Sequence, residues 1–402
     1  MTGKLKLDKF VLLGSLYVSQ YIPFAFFYQA LPVYWREQGI SLEAIGLLSL
    51  VALPWMLKFL WSPIIDRYSF TTLGHYRFWI IACQILLAIT VGFCAFLNIQ
   101  QNIGAVIGGL FLMCFLAATQ DIATDALAVN ILDRTERGMG NGIQNAGNYL
   151  GAIFGGGGTL ILLNYWGWKA SLITLGLFIL LALIPICRYR EPKINRLPDQ
   201  KQVFLTLIDF LRRRGMGRWL LILVLYMTAT TMVVTMFRPL LVDLGLSLAD
   251  IGLLTGVVGF SASMVGALIA GVLIKPLGRK RSLILFGLLQ LIAIATCLLP
   301  TVGIDSLPML YCVCILVQMT MGMAYTALYT VMMDNSNTSS AGVDYTMQTS
   351  AIYFGGIAAS GLSGFVAEAL GYQNLFLICI FISLASVAVV AKTFLSEPIV
   401  KS

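Results

Sequence analysis

Runs of about twenty apolar residues, each closed by a short polar or turn-forming stretch, recur twelve times along the chain. They fall at 10–35, 43–63, 78–98, 103–131, 140–163, 168–187, 218–243, 249–273, 283–300, 307–333, 342–366 and 371–395. A bilayer core needs ~20 apolar residues per helix, so the pattern predicts an all-α polytopic membrane protein with twelve transmembrane helices. The one long break, Arg188 to Arg218, holds nine basic residues against three acidic ones, with Pro192 and Pro198. Within it, 201–214 has helical spacing and sets Val203, Leu207, Phe210 and Leu211 on one side, as in a helix lying along a membrane surface. The predicted domains are a six-helix half at 1–187, a basic linker at 188–217 and a second six-helix half at 218–402.

The two halves echo each other. Gly39-Ile-Ser-Leu-Glu-Ala-Ile-Gly-Leu-Leu-Ser49 answers Gly245-Leu-Ser-Leu-Ala-Asp-Ile-Gly-Leu-Leu-Thr255, with seven of eleven positions identical. Further on, Gln144, Tyr149 and Gly151 answer Gln348, Tyr353 and Gly355. A tandem duplication of a six-helix unit is a common plan among transporters.

Composition agrees. Hydrophobic residues make up 59% of the 402 and charged ones 11%, against about a quarter charged in soluble domains. The net charge of +8 suggests nucleic acid only until the basic residues are located. Lys4, Lys6, Lys9, Arg67, Arg77, Arg134, Arg137, Lys275, Arg279, Lys280 and Arg281 all fall on one side of the predicted topology, together with the linker. The positive-inside rule then puts both termini in the cytoplasm and leaves no case for nucleic acid. The basic start runs into an apolar stretch reaching Trp35 with no cleavage site, which reads as a retained first helix. The eight Cys lie in apolar runs and the single His75 in a loop, so no metal site, disulfide framework or catalytic constellation emerges. There is no phosphate-binding loop. No enzyme activity, metal or cofactor is expected.

Candidate chemistry concentrates in the fourth span, where Asp121 and Asp125 stand four residues apart and share one helix face. A charge at bilayer depth costs at least ~2.5–3.5 kcal/mol. Such a face must look into protein or a watered cavity, either as a structural partner for Lys or Arg or in a substrate or proton role. Lys58, in the second span, either snorkels to the interface or pairs with Asp121 or Asp125. Arg238, beside Pro239, either snorkels or meets an anionic substrate. Polar and aromatic stripes at helical spacing mark either packing or a cavity: Tyr17, Tyr21, Phe24 and Tyr28, with Gln20 beside them; Asn141, Gln144, Asn145 and Asn148; Tyr226 and Thr230; Gln318, Tyr325 and Tyr329. A cavity of this composition suits a sizeable hydrogen-bonding substrate better than a bare ion.

Several stretches resemble the major facilitator superfamily. Trp61-Ser-Pro-Ile-Ile-Asp66-Arg67, with Arg77 beyond, and Lys275-Pro-Leu-Gly278-Arg279-Lys280-Arg281 look like that family's loop signature. The first copy lacks the usual leading Gly and has Ser-Phe-Thr-Thr where Gly-Arg would stand. The resemblance implies that Asp66, Arg67, Arg77, Gly278, Arg279, Lys280 and Arg281 latch the two halves at the cytoplasmic side. It also implies a cavity lined mainly by spans 1, 4, 7 and 10. Ala117-Ala-Thr-Gln-Asp-Ile-Ala-Thr-Asp125, the Leu53–Arg67 block and Arg137-Gly-Met-Gly-Asn-Gly-Ile-Gln144 are similar to the AmpG-like branch, which includes muropeptide permeases and acetyl-coenzyme A transporters. The opening Gly14-Ser-Leu-Tyr and Phe26-Phe-Tyr-Gln-Ala-Leu-Pro32 look more like RhtX/FptX-type siderophore importers. The implied function is an alternating-access, proton-coupled symporter of the bacterial inner membrane, acting as a monomer and importing a siderophore or its iron chelate. A muropeptide permease is the alternative cargo class, and a non-transporting sensor or scaffold the alternative of another kind.

Overall fold

A computed structural model describes residues 2–39, 51–68, 74–191 and 204–393. Among these the regular structure is helical, with no strand. Nine described stretches are long and apolar enough to cross a membrane. Two of them, Arg137–Arg188 and Thr338–Thr393, are each a pair of spans that meet at a glycine with non-helical backbone, Gly167 and Gly371. The second helix, shorter because 40–50 lie outside the described residues, completes a set consistent with twelve.

The spans are α1 (Thr2–Ala25, a π-turn at Phe26–Ala30, then Leu31–Glu37) and α2 (Leu53–Leu57, a 3-10 turn at Lys58–Leu60, then Ser62–Arg67). Next come α3 (His75–Ala95), α4 (Ile103–Ile131), and α5 (Arg137–Ile153, a π-turn at Phe154–Gly158, then on to 167). After α6 (168–181, then Leu183–Arg188) and the linker helix Leu205–Arg212 come α7 (Met216–Asp243) and α8 (Leu248–Ile251, a π-turn at Gly252–Val258, Gly259–Leu277). The last four are α9 (Arg279–Thr296), α10 (Leu307–Asp334), α11 (341–370) and α12 (372–393).

The duplication is written in the backbone. Left-handed glycines recur in pairs: Gly39 and Gly245 before α2 and α8, Gly74 and Gly278 before α3 and α9, Gly167 and Gly371 before α6 and α12. Gly74 (φ 118°) corrects the reading of the first loop signature, because it caps α3 as Gly278 (φ 78°) caps α9. The glycine of the Gly-Arg position is present, displaced toward the helix and followed by His75 in place of the arginine. Most of the 39–49 repeat itself lies outside the described residues.

Packing divides the described residues into two compact units. One takes those within Met1–Leu132, Gly147–Leu207 and Asn337–Met347; the other takes those within Asp133–Ala146, Ile208–Ser336 and Gln348–Ser402. The start of α5 thus packs with helices of the second sequence half, and the start of α11 with helices of the first. In the first unit, α5 lies directly on α1. A Cβ at Gly151 would stand 2.8 Å from the Val18 carbonyl oxygen, and one at Gly155 would strike the carbonyl of Ile22. Glycines four residues apart let the two backbones meet.

Three expectations change. His75 is the first residue of α3, not a loop residue, and its Nε2 lies 2.6 Å from the Ile65 carbonyl oxygen. Six Cys are buried, but Cys187 and Cys312 are exposed. On the linker helix Phe210 is buried while Leu211 faces out; Val203 lies outside the described residues.

Candidate functional site

The carboxylates of α4 occupy the core of the first unit, Asp121 at 6% exposure and Asp125 at 1%. Helical spacing stacks them on one face. Lys58, equally buried, forms an ion pair with Asp121. The snorkelling alternative is therefore set aside. Lys58 reaches this depth because α2 is broken. Pro63 has no N–H and its ring displaces the carbonyl four residues back. The chain answers with the 3-10 turn Lys58–Leu60, a form that marks hinges within helices. Helix α1 supplies the remaining partners: Gln20 Nε2 donates to Asp121 Oδ1 at 2.7 Å and the Tyr17 hydroxyl to Asp125 Oδ1 at 2.8 Å. Two carboxyl groups, one ammonium and two neutral donors make a compact charged cluster inside an apolar helix bundle.

One turn further along α1 is an aromatic patch. Phe24 stacks on Tyr28 with ring centres 5.6 Å apart, and it meets Tyr21 and Trp55 at 5.2 and 5.3 Å. Tyr28 is 62% exposed, so the patch presents an open ring face.

In the second unit α10 carries Tyr325 and Tyr329, edge to face at 5.6 Å, with Tyr325 hydrogen-bonded to Thr231 of α7. The interval of 204 residues that separates Gly74 from Gly278 also separates Asp121 from Tyr325 and Asp125 from Tyr329. The repeat puts ionisable groups in one half and phenols at the matching places of the other. Gln318 and Arg238 line one recess of this unit.

Tyr226 is corrected. Its hydroxyl donates to the Leu283 carbonyl at 2.7 Å, and its ring would lie 3.2 Å from a Cβ at Gly287. Thr230, next on that stripe, accepts from Gln290 of α9. Both serve α7–α9 packing, because an aromatic stripe has the same period whether it faces a neighbour or a cavity. Asn141 and Asn145 likewise turn to α10, at Met333 Sδ and Thr326 Oγ1. Gln144 is buried. Asn148 is half-buried, and its side-chain oxygen is unpartnered among the described residues.

The latch residues divide. Asp66, just beyond the second apolar run, receives the backbone N–H of Gly342 at 2.9 Å and of Val343 at 2.8 Å, with the Tyr76 hydroxyl at 2.8 Å. It caps the first turn of α11, where helix amides have no intrahelical acceptor and the dipole is positive. Gly342 is needed there, since a Cβ would stand 2.6 Å from Asp66 Oδ1.

Arg279 donates Nε to Asp334 Oδ2 at 2.7 Å, and Arg137 Nη1 reaches Oδ1 at 3.0 Å. Arg77 is corrected: it binds the carbonyls of Ile186 and Cys187, tying α3 to α6 inside the first half. Arg67 lies over the Tyr68 ring. Lys280 and Arg281 form no ion pair among the described residues. Sequence reasoning placed Tyr17 on the α1 stripe but did not single out Tyr76 or Asp334. The only signal for Asp334 is that it stands where Asn130 stands in the first repeat.

The chain matches the family model described as Major Facilitator Superfamily over residues 13–360. It is 28% identical over 362 residues to the anhydromuropeptide permease of Escherichia coli K12, covering 89% of this chain and 74% of that one. It is 27% identical over 399 residues to a putative transporter AmpG 3 of Rickettsia typhi, covering 94% and 93%. Its fold is similar to that of a solved transporter, FucP, in the outward conformation, with TM-score 0.74, 16% identity, and 96% and 99% coverage.

Two outcomes follow from the geometry. Lys58→Met should cost about 3–5 kcal/mol of stability in detergent unfolding, because it strands a buried carboxylate, and Lys58→Met with Asp121→Leu should recover most of that. Equal losses in both would mean that the pair is not coupled.

Burial, reinforced by the neighbouring Asp344 carboxylate, holds the Asp66 carboxyl up at about 6 against 3.8 in water, while the bonds from Val343, Tyr76 and Gly342 pull it down. A carboxyl raised in the folded form keeps its proton there, so its contribution is complete below pH ~4 and is lost as pH rises through ~6, by ~3 kcal/mol. Melting curves from pH 4 to 7 should show this decline in the parent and not in Asp66→Asn; parallel curves would contradict it.

By the match over residues 13–360 and by its all-helical polytopic fold, the chain belongs to the Major Facilitator Superfamily and is a multi-pass membrane transporter.

Proposed function

We propose that this chain is a proton-coupled symporter that imports an anhydromuropeptide-type sugar–peptide across a bacterial inner membrane, as a monomer with both termini in the cytoplasm. The observation that carries coupling is the buried cluster of Asp121, Asp125 and Lys58. One ammonium cannot balance two carboxylates, and an uncompensated charge in an apolar bundle is costly. A proton held on the pair neutralises the excess, and its release when α1 and α2 shift links proton movement to the transport cycle. The broken α2 and the π-turn of α1 are the places where such a shift is least costly.

The cargo reading rests on likeness to permeases named for anhydromuropeptides along most of the chain. The siderophore cargo expected from the opening residues finds no counterpart among these relatives. The open aromatic face at Phe24–Tyr28 and the half-buried pair Tyr325–Tyr329 suit the apolar faces of sugar rings, and amides such as Gln144 and Asn148 suit a peptide. Closure at the cytoplasmic end is assigned to Asp66 on α11 and to Asp334 with Arg137 and Arg279. Each joins segments far apart in sequence, and each must open for release inward.

Proteoliposomes with an imposed inward proton gradient test the reading. An anhydromuropeptide should accumulate and a ferric siderophore should not. Asp125→Asn should keep downhill exchange of the muropeptide and lose accumulation by at least ~10-fold. Siderophore accumulation alone, or undiminished accumulation by Asp125→Asn, would overturn it.

A further inference from the structure

Arg238 has no hydrogen bond or ion pair among the described residues, although it sits one residue before Pro239 within α7. It lines a small recess with Phe237 of α7, Thr255 of α8, and Cys314, Val317 and Gln318 of α10. The π-turn Gly252–Val258 carries Thr255 past this point. The other polar groups are spoken for in a one-sided way. Thr255 gives its hydroxyl hydrogen to the Ile251 carbonyl at 2.8 Å, and Cys314 Sγ lies 3.4 Å from the Leu254 carbonyl oxygen. The Ser263 hydroxyl donates to the Gln318 backbone carbonyl at 2.9 Å with Oε1 beside it at 3.5 Å, and the Gln318 amide nitrogen donates to nothing among the described residues. No carboxylate lines the recess. The nearest acids along the chain are engaged elsewhere, Asp243 by the Tyr372 hydroxyl and Asp250 by Ser247.

The recess therefore offers two unengaged donors, the exposed Arg238 guanidinium and the Gln318 amide, beside apolar walls, with the Thr255 oxygen left as its one hydroxyl acceptor. It has room for one end group and not for a whole substrate. A guanidinium beside an amide N–H matches the planar, two-oxygen face of a carboxylate. Phe237 and Val317 would cover a short aliphatic substituent next to it. Gln318, Tyr325 and Tyr329 lie seven and four residues apart, on one face of α10. At ~1.5 Å per residue, an anion held at Gln318 stands ~10–16 Å from rings held at the tyrosines.

We infer that the Arg238–Gln318 recess is a subsite for a carboxylate of the transported molecule, set one sugar–peptide length from a ring-stacking surface at Tyr325 and Tyr329. The inference rests on the proposed cargo class and names the part of the cargo that this half would recognise. The repeat then divides the work: the first half carries the titrating cluster and the second reads the substrate.

Calorimetric binding to the purified full chain tests it. The probes are an anhydromuropeptide and analogues in which its carboxylates are converted one at a time to carboxamides. One carboxamide should bind at least ~10-fold more weakly than the parent, the size of one lost charge-assisted hydrogen bond. Arg238→Gln should weaken the parent by the same factor and leave that analogue unchanged, and Arg238→Lys should recover part of the loss. If all carboxamides bind the parent protein as the carboxylates do, the subsite is overturned and the cargo class stands. If Arg238→Gln weakens every probe equally, the arginine acts on the fold and the subsite is again overturned. If no muropeptide binds at all, both readings fall together.

Discussion

A charge in an apolar helix bundle must be matched where it stands, and the first half of this chain is arranged around that constraint. Asp121 and Asp125 lie at positions where water cannot relieve them. Two helices deliver what they need: α2 its lysine from a broken turn, α1 a glutamine and a tyrosine. The glycines of α5 serve the same end by holding α1 at backbone contact, which fixes the height of Tyr17 and Gln20 beside α4. An ion pair buried in this way is a poor source of stability compared with apolar packing. On the proposed reading it is a device with two charge states, one of which opens when α1 and α2 move.

The duplicated frame carries unequal chemistry. Paired left-handed glycines give both halves the same turns, yet the positions of the two aspartates hold tyrosines in the second half. Contacts between the two sequence halves are made in crossed fashion. Asp66 caps α11, while Arg137 at the start of α5 meets Asp334 at the end of α10. Gly138 and Gly342, also 204 residues apart, sit at the two close approaches: Gly138 against Ile274 and the Gly271 carbonyl, Gly342 against Asp66. One backbone plan is thus used twice, with a different polar partner each time.

Much of this was legible in the chain. Twelve apolar runs gave the class of fold, the repeat gave its two halves, and a pair of carboxylates in an apolar run marked the charged cluster, because membrane burial makes such residues conspicuous. The partners were less visible. Gln20 and Asp121 are 101 residues apart, and Arg137 and Asp334 are 197, so no local pattern connects them. Asp334, at a helix end, looks like an interfacial residue until two arginines are found on it. Tyr226 shows the converse failure, since helical spacing says which residues share a face and not what that face meets. Gly74 was overlooked because the first loop is longer than the second between its charged residues and the glycine that ends it.

The central claim is that cargo and protons move together through a site built on two carboxylates and one lysine. Proteoliposomes loaded with a pH-sensitive dye, with no gradient imposed, test it most directly when an anhydromuropeptide is added outside. The account predicts acidification of the lumen that saturates with the muropeptide and fails to appear with an unrelated solute. Entry of the muropeptide with no change in luminal pH would contradict it.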